Sequence, residues 1–332
     1  MANGKVSDGP FITHSNDELM IKWLCNSQEK SNKIYKPSFP YIFSKCGLNA
    51  TVYESKLSTE ATYLSGNFDI AVFSDVHGQF SLMKQLLLKH NIIDKNNHWR
   101  FGKGHLVIPG DIFDRGAYVT ESLWFLYQLQ HQAQLAGGDL HLLLGNHEVM
   151  IFNDDYRYLH PKYINVSKQL KTSTADLYAE DTILGNWLRN KNVVIKINNH
   201  IYTHGGLHPD LIRKKLSLAE INQVFSNRLL STHKDSFSEI ETYLHGANGP
   251  VWYRGYFSDI DTAKLDLLLH YYQAEKVIVG HTSHQSIISN NAHRIIGVDS
   301  SIKHGKSGEL LLIRSNGYWR GLLSGKQKPL FH

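Results

Sequence analysis

The sequence predicts an α/β fold in which strands and helices alternate into a largely parallel sheet. Two observations predict it: strand-sized apolar runs separated by helix-periodic segments, and glycine-flanked polar clusters directly after five of those runs. Phe68–Phe73 reads as a buried strand. Gln79–His90 reads as a helix, with Phe80, Leu82, Met83, Leu86 and Leu87 gathered on one side. His105–Ile108 is a second strand, Tyr118–Leu135 a second helix and Leu140–Leu144 a third strand. This β-α-β-α-β order implies parallel strands with helices against their faces. Val193–Tyr202, Lys276–Val279, His293–Val298 and Glu309–Ile313 read as further strands.

Residues 1–66 carry weaker patterning and read as an N-terminal extension packed on the main body, which runs from 67 to 332. Within the extension, Asp17–Leu24 predicts a short amphipathic helix capped by Ser15 or Asn16. Pro37 and Pro40 then break the chain. Segments 150–192 and 210–260 read as helical or irregular cap regions.

Composition narrows the class. The chain has 332 residues, 42% hydrophobic and 20% charged, an ordinary globular mixture for one large domain or two small ones. No apolar run approaches the ~20 residues of a membrane-spanning helix. The net charge of +5 comes without a dense Lys/Arg block or an Arg-aromatic motif, so no nucleic-acid partner is expected. Met1–Asp8 lacks the apolar stretch of a signal peptide, which favours the cytoplasm, although a processed periplasmic chain would read the same. Cys25 and Cys46 are expected as two free thiols, because nothing else suggests a disulfide scaffold.

The chemistry gathers after the strands, where α/β sheets build their sites. In Asp75-Val76-His77-Gly78, residues i and i+2 of extended chain point the same way, so Asp75 and His77 can grip one ion. Gly110-Asp111-Ile112-Phe113-Asp114-Arg115-Gly116 packs two carboxylates and an arginine between glycines. One carboxylate can bridge two cations, a role that fits Asp111, and Arg115 offers a planar fork of donors for phosphate oxygens. In Gly145-Asn146-His147-Glu148, the Asn146 carbonyl is a neutral metal ligand. His147 can serve as an acid if a carboxylate orients it, and Asp114 is the candidate. His204 in Thr203-His204-Gly205-Gly206 and His281 in Gly280-His281-Thr282 each stand at a strand end beside glycine. A lone histidine there is usually structural; four companion clusters at equivalent places make it a ligand candidate.

Taken together, the five clusters resemble the metallophosphoesterase superfamily pattern, in family order, over roughly residues 68–315. Gly-Asp-x-x-Asp-Arg-Gly with Gly-Asn-His-Glu resembles its phosphoprotein phosphatase branch. Gly249–Arg254 and Ile296–Asp299 resemble the Shewanella-like phosphatase group. The resemblance implies a β-sandwich of mixed sheets flanked by helices around the β-α-β-α-β core. It implies two metal ions, of Zn, Mn or Fe, sharing a bridging water or hydroxide. Asp75, His77 and Asp111 would hold the first, with Asp111 bridging to the second, which Asn146, His204 and His281 complete. His147 with Asp114 would form the acid dyad, and Arg115 with Arg254 would hold the phosphate. His284 falls one residue out of register with the Gly-His-x-His of many relatives and is a weak ligand candidate.

The implied activity is hydrolysis of phosphate monoesters on a phosphorylated protein or peptide, with phosphotyrosine the suspected residue. The low proline count, 8, is compatible with cold adaptation. Alternatives are a serine/threonine phosphatase, a diadenosine-polyphosphate hydrolase, or a non-catalytic metal-binding protein. Thiol-based phosphatase chemistry is excluded, because it needs Cys-x5-Arg and Ser31 and Val52 stand six residues after the two cysteines. Tyr156, Tyr158 and Tyr163 could wall a cleft for an aromatic substrate, or simply pack.

Overall fold

Alternating apolar residues along short strands determine which faces are buried, and a strand apolar on both faces must sit between two layers. The computed structural model describes residues 5–15, 17–54, 60–229, 236–258 and 260–331. In chain order the strands and helices begin with β1 (Asp8–Ser15), β2 (Glu18–Cys25), β3 (Gln28–Tyr35), β4 (Tyr41–Lys45), β5 (Leu48–Val52), β6 (Tyr63–Leu64) and β7 (Ile70–Val72). Next come α1 (Phe80–Lys89), β8 (His105–Ile108), α2 (Val119–Leu135), β9 (Asp139–Leu142), α3 (Asn146–Phe152), α4 (Pro161–Leu170), α5 (Thr174–Leu177) and α6 (Ile183–Arg189). The hairpin β10 (Val194–Ile197) and β11 (His200–Thr203) leads to α7 (Leu211–Lys214), α8 (Leu218–Asn227), α9 (Glu239–His245) and α10 (Thr262–Tyr271). The chain closes with β12 (Lys276–Val279), β13 (Ile288–Asn290), β14 (Ile295–Gly297), β15 (Glu309–Arg314), β16 (Gly317–Leu322) and β17 (Gln327–Pro329).

Two six-stranded mixed sheets form, ordered β13-β14-β12-β11-β10-β6 and β17-β16-β15-β7-β8-β9. Ile70, Val72, Val107, Leu143, Leu311 and Ile313 of one meet Ile195, Ile197, Tyr202, Ile278 and Ile296 of the other in a core between the sheets. The alternate residues, among them Ala71, Phe73, Leu106, Ile108, Leu310 and Leu312, join a second core against the helices. The expected sandwich of mixed sheets flanked by helices is therefore present, and period-2 alternation explains it. No helix among the described residues is long and apolar enough to cross a membrane.

Several expectations are corrected. Asp17–Leu24 is not a helix; Glu18–Cys25 is the middle strand of the sheet β1-β2-β3. Leu19, Ile21 and Trp23 form its buried face, so the two-residue period prevails over the helical one. Asn16, one of the proposed caps, lies outside the described residues. Val193–Tyr202 is two strands, with Ile197 opposite His200 across a two-residue turn whose Asn198 is left-handed at φ 52. Segment 150–192 contains α4, α5 and α6, capped by the side chains of His160, Ser173 and Thr182. Within the expected 210–260 cap, residues 230–235 and 259 lie outside the described residues.

The free-thiol expectation is also overturned, because Cys25 and Cys46 form a disulfide. Spacing gave no hint of it; the bond depends on the turn between β4 and β5 reaching the end of β2. The N-terminal strands adhere through polar ties as well. Trp124 Nε1 donates to the Pro10 carbonyl at 2.9 Å, and Thr13 bridges Thr182. The disulfide is separated by 21 residues, and closing a loop of that size removes unfolded-state entropy. Replacing both cysteines by serine should lower unfolding free energy by about 2–4 kcal/mol. Denaturant midpoints with and without reductant, in both proteins, measure this; equal wild-type midpoints would contradict it.

Candidate metal centre

Every candidate ligand stands just beyond the carboxyl end of a strand: Asp75 and His77 after β7, Asp111 after β8, Asn146 after β9, His204 after β11 and His281 after β12. Side chains from both sheets thus converge on one edge of the sandwich. The loops get there by unusual backbone. Asp75, His77, Asp111, Asp114, Arg115 and His281 all have left-handed φ between 46 and 69 degrees. Such residues cost roughly 1–3 kcal/mol each and persist only where the surroundings over-determine them.

The constraints are visible. The amides of Asp75, His77 and Gly78 donate to the carbonyls of Gly110, Asp111 and Ile112, lacing the first two loops together. Gly78 and Gly116 let these loops touch, since a Cβ on Gly116 would lie 2.3 Å from the His77 carbonyl oxygen. Glu148, fully buried, accepts from the amides of Asp111 at 2.8 Å, Ile112 at 2.7 Å and Gly145 at 2.7 Å. One carboxyl group thereby fixes the second and third loops against each other.

Asp111 is the geometric centre of the donors. Its Oδ2 lies 3.4 Å from His77 Nε2 and 3.3 Å from His204 Nε2. His77 and His204 each direct Nδ1 to a main-chain carbonyl, Phe113 at 2.7 Å and Pro109 at 2.6 Å. That leaves Nε2 of both rings facing Asp111, the orientation metal-binding histidines take. His281 is turned the other way, with Nε2 3.2 Å from the Trp252 carbonyl and Nδ1 3.1 Å from His204 Nε2. Asn146 Oδ1 is 2.9 Å from His204 Nε2, and Asp75 Oδ1 is 3.8 Å from His77 Nε2. Two donor groups able to hold an ion share Asp111: one with His77 and His147, the other with His204 and His281. The mixed oxygen and nitrogen donors, buried and pre-aimed, fit a pair of divalent cations.

Beside them His147 Nδ1 bonds Asp114 Oδ2 at 2.5 Å, and His147 Nε2 faces the centre 3.9 Å from Asp111 Oδ2. Arg115 and Arg254 are exposed at the mouth. Arg254 Nη1 donates to the His281 carbonyl at 2.7 Å. The structure thus gathers Asp75, His77, Asp111, Asn146, His147, His204 and His281, with Asp114 behind and both arginines at the rim. His284 belongs to neither donor group; its ring packs on Phe257. Of the three tyrosines, Tyr163 is buried and Tyr156 bonds Asp154 and the Ala175 amide. Tyr158 alone of them borders the centre, 44% exposed, with the Arg115 guanidinium 4.9 Å from its ring centroid and His147 at 5.3 Å.

Burial pushes the Asp111 carboxyl up, but His204, His147 and His77 outweigh it and hold it well below the usual range. Burial lowers the His204 imidazole; Asp111 and Asp75 more than reverse this and raise it to about 9. Burial and the neighbouring His204 charge push His281 down to about 3. The metal-free cluster therefore holds a proton on His204 and leaves His281 neutral. His147 is raised, since Asp111 and Asp114 overcome its burial.

Glu148 was in plain sight in the sequence, yet its supporting role depends on amides distant along the chain. Ser74 and Asp299 were not singled out for roles. Ser74 Oγ donates to Asp75 Oδ2 at 2.6 Å, while Asp299, raised to about 6 by burial and Asp75, accepts from Ser283. Serine before Asp-x-His is too common a pattern to have flagged the first.

Comparison with known proteins agrees with this geometry. Residues 68–285 match the family model of the calcineurin-like phosphoesterases. The crystal structure of a cold-active protein-tyrosine phosphatase from a psychrophilic Shewanella species superposes with a TM-score of 0.93 at 38% identity, covering 98% of this chain and 100% of that one. Shewanella-like protein phosphatase 1 of Plasmodium berghei is 28% identical over 79% of this chain and 75% of its own. Shewanella-like protein phosphatase 2 of Arabidopsis thaliana is 23% identical over 64% of this chain and 66% of its own, just short of two thirds.

Metal must displace the His204 proton to use Nε2, so loading should release about one proton per chain near neutral pH. Metal affinity should fall roughly tenfold per pH unit below about 9, the raised value of His204. The sign for stability is opposite: in metal-free protein the raised group stabilises fully below 6.5, and this is lost as pH rises through about 9. Calorimetry of Zn or Mn binding in buffers of different ionisation enthalpy reads the proton count; pH-independent affinity would contradict it. Glu148→Gln, which sets an amide against backbone donors, should lower metal retention by at least tenfold, read by metal analysis after dialysis.

Proposed function

Because the chain belongs to the calcineurin-like phosphoesterase family, we propose that it is a metal-dependent phosphatase hydrolysing phosphate monoesters on proteins, phosphotyrosine foremost. The observation that carries this is the buried Asp111 carboxylate between two histidine-bearing donor groups, with the His147–Asp114 pair alongside. Asp75, His77 and Asp111 would hold one cation and Asp111, Asn146, His204 and His281 the other. The nitrogen and oxygen donors suit Zn, Mn or Fe. When bound, such a pair supplies Lewis acidity toward phosphoryl oxygens and a water acidic enough to attack near neutral pH.

The remaining roles fall to this chain's own groups. Arg115 and Arg254, exposed at the mouth, grip the phosphate oxygens and offset charge as it develops. His147, whose imidazolium Asp111 and Asp114 favour, gives its Nε2 proton to the departing oxygen. Asp114 fixes the ring through Nδ1. Tyr158 beside Arg115 and His147 gives an aromatic leaving group a half-exposed surface to pack on, and the Shewanella relative is named a protein-tyrosine phosphatase. The Cys25–Cys46 bridge supports residence in an oxidising compartment.

His147→Asn should cut turnover of an alkyl phosphate by about 10²–10⁴-fold while metal content stays near normal. The loss should shrink for p-nitrophenyl phosphate, whose leaving group needs no proton. Equal losses on both esters would remove His147 from the proton-donor role. Asp111→Asn should lose most metal and activity. A panel of phosphotyrosine peptide, phosphoserine peptide and dinucleotide polyphosphate, assayed with and without chelator, tests the whole reading; chelator-resistant turnover would sink it. Within that panel Tyr158→Ala should lower kcat/KM on the phosphotyrosine peptide more than on the phosphoserine peptide.

A further inference from the structure

A buried charge cluster lies behind the Arg115 loop and joins it to the N-terminal strand. Asp8 of β1 has a fully buried side chain, and its Oδ2 stands 3.3 Å from Lys162 Nζ. Lys162, the second residue of α4, also reaches Glu121 Oε1 of α2 at 3.1 Å. Its other acceptor is the Ala117 carbonyl at 2.7 Å. The ammonium donates to the Ala117 carbonyl and the Glu121 carboxylate, and pairs by charge with Asp8. Ala117 is two residues past Arg115, and the intervening Gly116 is packed against the first loop, with its amide donating to the Asp114 carbonyl at 2.7 Å.

The neighbouring hydrogen bonds act on the same stretch. Tyr163 hydroxyl donates to the Ala117 carbonyl at 3.2 Å and accepts from the amides of Val119 at 2.7 Å and Thr120 at 3.2 Å. On the other side the Arg115 amide donates to the Tyr158 carbonyl at 3.0 Å. Arg115 itself holds a left-handed backbone, φ 62, with an exposed side chain. Flanking main-chain bonds set where the Arg115 Cα and the root of its side chain lie, and Lys162 with Tyr163 holds the carbonyl on one side.

We propose that Lys162, held by Asp8 and Glu121, is a positioning residue for Arg115, so that the N-terminal strand contributes to phosphate binding without touching the ligand. The inference rests on the phosphate-binding reading of Arg115. Among these contacts Lys162 makes the shorter bond to the Ala117 carbonyl, 2.7 Å against 3.2 Å from Tyr163, and it alone carries a charge to both carboxylates, so its loss loosens the loop on one side. Displacements of about 1 Å at a positioned group cost up to 10²-fold in rate.

The test is competitive inhibition by inorganic phosphate of metal-loaded full-length protein, in a double-mutant cycle of Lys162→Met and Arg115→Met. Lys162→Met should raise the inhibition constant about tenfold with metal content unchanged, and Lys162→Arg should recover most of it. In the Arg115→Met background the same substitution should have little effect, because its agent is already gone. Additive losses in the cycle would mean a merely structural role and overturn the inference. If Arg115→Met alone leaves phosphate inhibition unchanged, the phosphate reading of Arg115 fails instead. Asp8→Asn, which removes one charge at nearly constant shape, repeats the cycle should Lys162→Met not fold; it should shift inhibition in the same direction by a few-fold, and no shift would overturn the inference.

Discussion

A carboxylate buried among histidines is the constraint around which this molecule is built. Asp111 is nearly inaccessible, and an isolated charge there would cost several kcal/mol. It is tolerated because imidazole nitrogens from three other loops face it, and because its own amide is held by Glu148. Two of those imidazoles, His77 and His204, have their other nitrogen held by the main-chain carbonyls of Phe113 and Pro109, and the third, His147, has its own held by Asp114. The centre is therefore pre-aimed before any ion arrives, and without one it retains a proton on His204. A proton is a poor substitute for a dication among two ionised carboxylates, so the charge of the cluster fits a metal ion better than it fits the proton.

The two-layer sheet architecture supplies the rigidity that such aiming requires. β7, β8 and β9 are parallel neighbours in one sheet, and β11, β12 and β14 in the other. Their carboxyl ends lie on a common edge because the apolar faces of Val72, Val107, Tyr202 and Ile278 lock the sheets together. Six left-handed non-glycine residues in three loops would not survive on a mobile support. Strain at the loops and apolar packing between the sheets are thus linked energetically, with the Glu148 bonds as the local tie.

Legibility in the sequence followed the range of the interactions. Asp75, His77, Asp111, Asn146, His147, His204 and His281 could be read because each sits within five residues of the end of a short apolar strand, and strand ends converge in this class of sheet. The strands of the β-α-β-α-β core were legible for the same local reason. Asp17–Leu24 misled because Leu19, Ile21, Trp23 and Leu24 satisfy both periods, and only pairing with β1 and β3 decides between them. Asn198-Asn199 was a turn hidden inside an apolar stretch. The Cys25–Cys46 bond, the amide contacts of Glu148 and the Asp8–Lys162 pair all join residues far apart in sequence, and no local pattern announces such partners.

Under the proposed function, hydrolysis of aryl phosphates would proceed without a thiol nucleophile, since Ser31 and Val52 stand where a Cys-x5-Arg loop would need arginine. A phosphate ester bound at this centre would approach an edge shared by several loops. Depth at that edge is shallow: Arg115, Arg254 and Tyr158 are all exposed. Discrimination must then come from what lies beside the leaving group rather than beneath the phosphate. The half-exposed Tyr158 ring, its carbonyl bonded by the Arg115 amide and its centroid 5.3 Å from that of His147, the proposed proton donor, offers an apolar surface there. In the proposed function, an aryl group packing there would gain dispersion that a short alkyl chain forfeits, so phosphotyrosine would be favoured by contact and not by chemistry. The same main-chain bond, Arg115 amide to Tyr158 carbonyl at 3.0 Å, couples the two positions, so in the proposed function substrate preference and phosphate affinity would share one element.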